Sequence, residues 1–319
     1  PFNYFIINFL TFTLFFLFLI KKSNQHKSLK LFFFYGWLFG LGYFASNLYW
    51  ISIALTFDQN FKFLIPFTLF LIPMFLSIFY GLISYLFIIL KPKKIISSLL
   101  VFSLIFGVVE FIRGSILTGF PWNLIVYSFS NELEFLSISS ILGTYSLNLF
   151  CISLFISPAL IILKDTKKDV GFFIFLIIIY LFIYIHGINY KEKFNELSKE
   201  ESDYTIRVVG SNISLERYYT DLDSVSVIQD LIKISKPNFN KKTIFIWPEG
   251  IFPNLSQHDL IEYSWLFKEH FNENHLLIIG INSQSINKGS KEYFNSFSLY
   301  DNELNLLDSY NKINLVPFG

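Results

Sequence analysis

Six long apolar runs constrain this chain more than any other feature, because about 20 consecutive apolar residues make a helix long enough to cross a bilayer. The runs cover residues 2–20, 31–55, 61–90, 95–112, 135–163 and 170–188. The third and fifth exceed the length a bilayer core needs, so tilt or protrusion past the membrane surface is expected of them. Of 319 residues, 53% are hydrophobic and 15% charged, and the mean hydropathy is +0.50. Soluble domains carry about 25% charged residues, so lipid is one of this chain's solvents. A polytopic α-helical membrane domain is therefore expected over residues 1–190. The first apolar run lacks the basic leader and small-residue cleavage site of a signal peptide, and Pro1 and Gly319 are both read as truncation points.

The connecting loops orient these spans. Lys21, Lys22, Lys27 and Lys30 follow the first span, Lys91, Lys93 and Lys94 the third, and Lys164, Lys167 and Lys168 the fifth. The alternate loops carry Asp58 and, between 114 and 134, Glu132 and Glu134 without a single lysine or arginine. Lysine-rich loops stay on the cytoplasmic side. Six spans then return the chain to the side of Pro1, which puts everything after Gly187 on the outer face.

Other features restrict the chemistry. A net charge of +1 gives no electrostatic case for a nucleic-acid partner. His26, His186, His258, His270 and His275 form no metal-ligand spacing, and no metal or cofactor is expected. The single cysteine, Cys151, lies inside the fifth span between Phe150 and Ile152. A reactive thiolate needs an electropositive, partly exposed setting, so Cys151 is read as a small apolar filler. Glu110 and Arg113 stand at i, i+3 and can pair on a helix, either as a substrate-site charge or as a salt bridge anchoring the helix end. Gly36 and Gly40 form a GxxxG, whose default meaning is close helix packing.

After a charged stretch at 189–203, read as a linker or surface helix, the pattern changes. Tyr204–Val209, Thr243–Trp247, His275–Ile281, Phe294–Tyr300 and Leu304–Tyr310 read as strands, and 216–235 and 257–272 as helices. That alternation implies an α/β layer fold over residues 203–319. Pro248 ends the second strand and holds Glu249 at its carboxyl end, where α/β folds commonly place ligands. Lys312 follows the last strand in the same way. Taken singly, Glu249 reads foremost as a turn residue and Lys312 as a solvated one.

In order and together, these elements resemble the apolipoprotein N-acyltransferase branch of the nitrilase superfamily. Pro1-Phe2-Asn3 looks like the opening of that family's second transmembrane helix. Glu110-Phe-Ile-Arg113-Gly114, Thr118-Gly119-Phe120-Pro121-Trp122 and Tyr127-Ser128 look like its FEWLRG…TGFPW…YS signature. Arg207-Val-Val with Asn212-Ile213 resembles its first catalytic-domain strand, and Trp247-Pro248-Glu249 its WPE. Tyr293-Phe-Asn295-Ser296 resembles its YNS, and Tyr310-Asn311-Lys312 with Leu315–Gly319 its YDK…LVPFGE. The chain departs at Gly210-Ser211-Asn212, where the family has QGN, and at Tyr218 or Tyr219, where it has tryptophan.

The resemblance implies that the tail is an incomplete nitrilase-like domain, part of an αββα sandwich. It implies a Glu–Lys–Cys triad in which Glu249 is the general base and Lys312 stabilises the intermediate. The nucleophilic cysteine lies beyond residue 319, and residues 1–319 alone are expected to be inactive. The reaction implied moves an acyl chain from a phospholipid, through a thioester, to the N-terminal α-amino group of a diacylglyceryl-modified apolipoprotein. The location implied is the bacterial inner membrane, with the catalytic domain periplasmic. Phe120, Trp122 and Tyr127 then border substrate access or form an aromatic anchoring belt. The alternatives are a membrane-tethered carbon–nitrogen hydrolase and a catalytically dead membrane scaffold.

Overall fold

The computed structural model describes residues 5–57, 59–116, 119–197, 202–211, 223–252, 255–287 and 290–313. It divides into two compact units, Pro1–Lys199 and Glu200–Gly319.

The first unit is helical. Its main helices are α1 (Phe5–Ser23), α2 (Leu29–Leu48), α3 (Ile65–Leu90) and α4 (Ile95–Ser115). Four shorter pieces follow, α5 (Leu133–Leu136), α6 (Ser139–Leu142), α7 (Thr144–Ile156) and α8 (Ala159–Ile162), and then the long α9 (Lys167–Leu197). Among the described residues, six segments are long and apolar enough to cross a membrane: Phe5–Ser23, Leu29–Thr56, Gln59–Leu90, Ile95–Ser115, Thr144–Ile162 and Lys167–Leu197. The second and third gain length from 3₁₀ turns at Tyr49–Thr56 and Gln59–Leu64.

Two boundaries differ from the apolar pattern. The stretch 135–163 is not one helix: it is broken at Gly143, whose φ of 77° is left-handed, and the membrane-length segment starts at Thr144. The sixth helix runs past residue 188 through the charged stretch to Leu197.

Aromatic side chains fill the interior of this unit. Phe12, Phe16, Phe102, Phe106, Phe129 and Phe155 are all buried, with Phe129 stacked on Phe155 at 5.5 Å. In lipid, helix association depends on such packing and on close backbone approach, not on a hydrophobic drive. Gly36 and Gly40 supply the approach. A Cβ on Gly36 would run into the Tyr80 carbonyl and the Ser84 hydroxyl, and one on Gly40 would stand 2.8 Å from Tyr80 Cβ. The GxxxG is thus the seam between α2 and α3. At the lysine-rich end, Lys91 Nζ donates to Ser23 Oγ at 2.6 Å, bringing two of the lysine loops together.

The second unit is a five-stranded sheet in sequential order: β1 (Thr205–Val208), β2 (Thr243–Trp247), β3 (His275–Asn287), β4 (Ser290–Tyr300) and β5 (Leu306–Asn311). The pairs β1–β2 and β2–β3 are parallel, and β3–β4 and β4–β5 antiparallel. Helix α10 (Ser224–Ser235) crosses from β1 to β2, and α11 (Ser264–His270), preceded by a 3₁₀ turn, from β2 to β3. Both cover one face, where Ile228, Leu231, Leu266 and Phe267 pack with Phe245, Trp247, Leu277 and Ile279. The other face carries exposed Ile206, Val208, Phe297 and Tyr310.

Asp223 caps α10 by accepting from Val225 N at 3.1 Å. Residues 216–222 of the expected helix lie outside the described residues. β5 starts at Leu306, not Leu304, because Asp301 Oδ1 accepts from Glu303 N and Asn305 N and so fixes a turn in which Leu304 has φ 65°.

Candidate active site

Four strands of the second unit supply the candidate active site, one residue each. β2 ends at Trp247, whose Nε1 donates to buried Ser235 Oγ at 3.0 Å. This anchors the strand end to α10. Pro248 has no N–H to continue a ladder, and the chain turns out with Glu249 at the tip, Gly250 following at φ 64°.

Beneath Glu249 lies Gly280 of β3. A Cβ there would stand 2.6 Å from Glu249 Cα and 3.0 Å from Glu249 N. Only glycine lets the turn settle against the strand, the reason a glycine in a strand interior marks close backbone approach.

From β4 and β5 come Asn295 and Lys312. Lys312 N donates to Asn295 O at 2.8 Å, so the ladder sets the lysine backbone. Lys312 Nζ reaches Glu249 Oε1 at 3.0 Å, and Asn295 Nδ2 donates to the same oxygen. The two donors hold the Glu249 carboxyl below its ordinary value of 4.5, the Lys312 hydrogen bond contributing most and Asn295 next. Both ends of the ion pair are accessible, Glu249 at 61% and Lys312 at 38%. Oε2 of Glu249 has no protein donor among the described residues, and an ammonium that makes one bond keeps two N–H groups free.

On the opposite face, hydroxyls lock the register that carries Lys312. Ser283 Oγ meets Ser296 Oγ at 2.6 Å, Ser296 Oγ donates to Asn311 Oδ1 at 2.7 Å, and Gln257 Nε2 donates to Ser298 Oγ at 3.0 Å.

Glu249 and Lys312, far apart in sequence, are thus brought together. Phe120, Trp122 and Tyr127 belong to the first unit. Trp122 and Tyr127 are exposed and Phe120 half-buried. Their loop is built on the Glu110–Arg113 pair. Arg113 binds Glu110 through Nε and Nη2 at 3.2 and 2.8 Å, and its Nη1 donates to Phe120 O at 2.6 Å and Trp122 O at 3.1 Å. Both side chains of the pair are fully buried. The pair is an internal staple of the loop and faces neither lipid nor solvent. Pro1-Phe2-Asn3, Thr118, Asn212-Ile213, Tyr218, Tyr219 and Leu315–Gly319 lie outside the described residues.

The relatives of the chain bear on what this geometry serves. Residues 1–157 match the family model described as the apolipoprotein N-acyltransferase N-terminal domain. Proteins named apolipoprotein N-acyltransferase align with nearly the whole chain. The one from Rhizobium leguminosarum bv. trifolii is 27% identical over 100% of this chain and 62% of its own length. That from Brucella melitensis is 25% identical over 89% and 54%, and that from Rickettsia prowazekii 28% over 94% and 58%. The chain is similar to the apolipoprotein N-acyltransferases over most of its length. It spans about half to three-fifths of the length of these curated relatives.

Sequence reasoning did not single out Gly280, although a glycine inside the apolar run Ile278-Ile279-Gly280-Ile281 is a legible sign of close approach. Asn295 was present only as a motif letter. That it shares an acceptor with Lys312 follows from the β4–β5 pairing, which the sequence does not display.

Proposed function

We propose that the protein is a membrane-bound N-acyltransferase that moves an acyl chain from a phospholipid to the α-amino group of a diacylglyceryl-modified apolipoprotein, through a thioester. The observation that carries this reading is the Glu249–Lys312 contact of 3.0 Å at the strand ends, in a chain whose relatives bear that name. The location proposed is the bacterial inner membrane, with Glu249 on the periplasmic side and the lysine loops cytoplasmic. The tail is read as part of a nitrilase-like domain over residues 203–319, following a membrane domain over 1–190.

A thiol with an ordinary pKa near 8.5 is mostly protonated at neutral pH, so it needs a base. Glu249, kept ionised by Lys312 and Asn295, accepts the thiol proton on its open oxygen. The thiolate attacks the ester carbon of the phospholipid, and the tetrahedral oxyanion forms beside the Lys312 ammonium. Collapse breaks the ester C–O bond, and Glu249 returns its proton to the departing lysophospholipid oxygen. In the second half, the apolipoprotein amine attacks the thioester carbon, Glu249 takes the ammonium proton, and the thiolate leaves as the amide forms. Cys151 is not that thiol: it is fully buried in the helical core. The thiol is assigned to a part of the protein outside residues 1–319. Phe120, Trp122 and Tyr127 are assigned to the membrane-facing approach for the lipid substrates.

The test uses full-length protein carrying Glu249→Ala or Lys312→Ala. Each variant is expected to lose about 10²–10³ in thioester formation, the typical cost of removing an electrostatic donor or base, while expression persists. Near-normal thioester formation in either variant rejects the assignment. Hydrolysis of small amides without phospholipid-dependent acylation would indicate the carbon–nitrogen hydrolase instead.

A further inference from the structure

Side chains from three helices hold the backbone of residues 120–126. Arg113 of α4 donates to Phe120 O and Trp122 O. Tyr43 of α2 donates from Oη to the next carbonyl, Asn123 O, at 3.0 Å, and its ring, packed against Phe12 and Tyr80, fixes where that hydroxyl stands. Asn148 of α7 accepts from Val126 N through Oδ1 at 2.9 Å. Between these clamps Asn123 has a left-handed φ of 62°, a conformation asparagine adopts more readily than most residues. The bend divides the segment. Leu124, Ile125 and Val126 turn into the core, while Trp122 before it and Tyr127 after it stay exposed.

Stability does not account for Asn148. It is fully buried, and its Nδ2 has no hydrogen-bond partner among the described residues. A buried amide left unpaired is destabilising, and polar side chains inside a membrane domain are expensive and mark function by default. What Asn148 contributes is its accepting oxygen, and that oxygen serves the loop. Tyr43 is a parallel case, since phenylalanine would keep the ring contacts and lose the bond to the loop carbonyl. We propose that Tyr43 and Asn148 are positioning residues for acyl transfer from lipid: with Arg113 they fix residues 120–126 so that Trp122 and Tyr127 present the lipid ester in one geometry. The inference rests on the acyl-transfer reading. Neither residue takes part in the Glu249–Lys312 pair, so their effect falls on how a lipid ester is presented and not on the chemistry common to all esters.

The test compares two acyl donors on the full-length protein in proteoliposomes. One is dioleoyl phosphatidylethanolamine in the bilayer; the other is p-nitrophenyl butyrate, a small soluble ester that acylates the same thiol and releases p-nitrophenol. Single-turnover thioester formation is measured with each. A misplacement of about 1 Å can cost about 10² in rate, so Tyr43→Phe and Asn148→Leu should each lose about 10- to 100-fold with the phospholipid and keep the wild-type rate with the soluble ester. The thermal midpoint of Asn148→Leu should stay near that of the wild type, because the variant leaves Val126 N unpaired but removes an amide that was itself unpaired. Unchanged phospholipid rates in both variants would overturn the proposal, and so would equal losses with the two esters, the mark of a general structural defect. Glu249→Ala should lose both reactions. A wild-type protein that forms no thioester with either donor rejects the acyl-transfer reading itself, whereas a wild type active on both, with variants to match, rejects this inference alone.

Discussion

Two donors share Oε1 of Glu249, and this sets how the carboxylate responds to pH. A carboxyl held below its ordinary value is ionised, and its bond to Lys312 complete, at neutral pH. Both are lost as pH falls through the lowered value. The acidic limb of thioester formation assigned to Glu249 therefore lies below 4.5. Asn295→Leu removes the second donor and should move that limb upward, and Lys312→Ala, which removes the first, should move it further. Single-turnover rates measured from pH 4 to 8 on the full-length protein give both values, and a limb that stays put in Lys312→Ala contradicts the pairing. Gly280→Ala is a different perturbation, since it leaves every polar group in place and lifts Glu249 off β3. A misplacement of about 1 Å can cost about 10² in rate, so thioester formation should fall strongly while the Glu249 limb moves little. At this scale the sequence is legible unevenly. Neither Glu249 nor Lys312 stands out from its own neighbourhood, and only their order within a known set of motifs singled them out. Gly280 carried a physical sign of its own. Asn295 carried none, because its role comes from sharing an acceptor with a lysine on the next strand.

Elements meet closely where side chains are absent or fully paired. The α2–α3 seam needs Gly36 and Gly40, and α9 needs Gly187, where a Cβ would strike the Glu134 backbone. Lys191 Nζ, one turn on, binds Glu134 Oε1 at 2.5 Å. Overpacking a tight contact costs about 1–3 kcal/mol, so Gly36→Leu should lower the thermal midpoint of the detergent-solubilised protein, whereas Gly42→Leu on the same helix should leave it unchanged. Equal midpoints for the two variants would contradict the seam. The Glu110–Arg113 staple is a stronger case. Arg113→Ala leaves a buried carboxylate unpaired, a loss of about 3–5 kcal/mol, and frees the carbonyls of Phe120 and Trp122. Arg113→Lys keeps the charge but loses the planar fork that reaches all four acceptors, and should fall between. Proteolysis within residues 119–131 is the readout, with the loop most susceptible in Arg113→Ala. The apolar runs announced most of these helices, because lipid asks for length and composition alone. The break at 133–143 is not legible in the apolar runs because its short helices are themselves largely apolar, and Gly143, at φ 77°, marks the turn.

For the whole molecule, the constraint is that a chain crossing a bilayer six times assigns a side to each segment. Lys91 and Ser23 touch, and each span reverses direction, so the lysine loops gather at one end of the helical unit while residues 119–132 belong to the other. The proposed location puts the tail, which follows the sixth span, on the side of that second group. Its sheet has one face closed by α10 and α11 and carries Ile206, Val208, Phe297 and Tyr310 on the other, the face on which an αββα sandwich would set its second sheet. Sidedness can be tested without any activity. In the full-length protein, with native cysteines replaced, single cysteines go at Lys27, Lys93, Asn131 and Lys233, all exposed positions. A membrane-impermeant maleimide added to spheroplasts should label Asn131→Cys and Lys233→Cys, and should reach Lys27→Cys and Lys93→Cys only after the membrane is opened. Labelling of Lys233→Cys together with Lys93→Cys would put the tail on the lysine side. Glu249 and Lys312 would then stand in the compartment that lipoprotein precursors leave, and the acyl acceptor would be out of their reach.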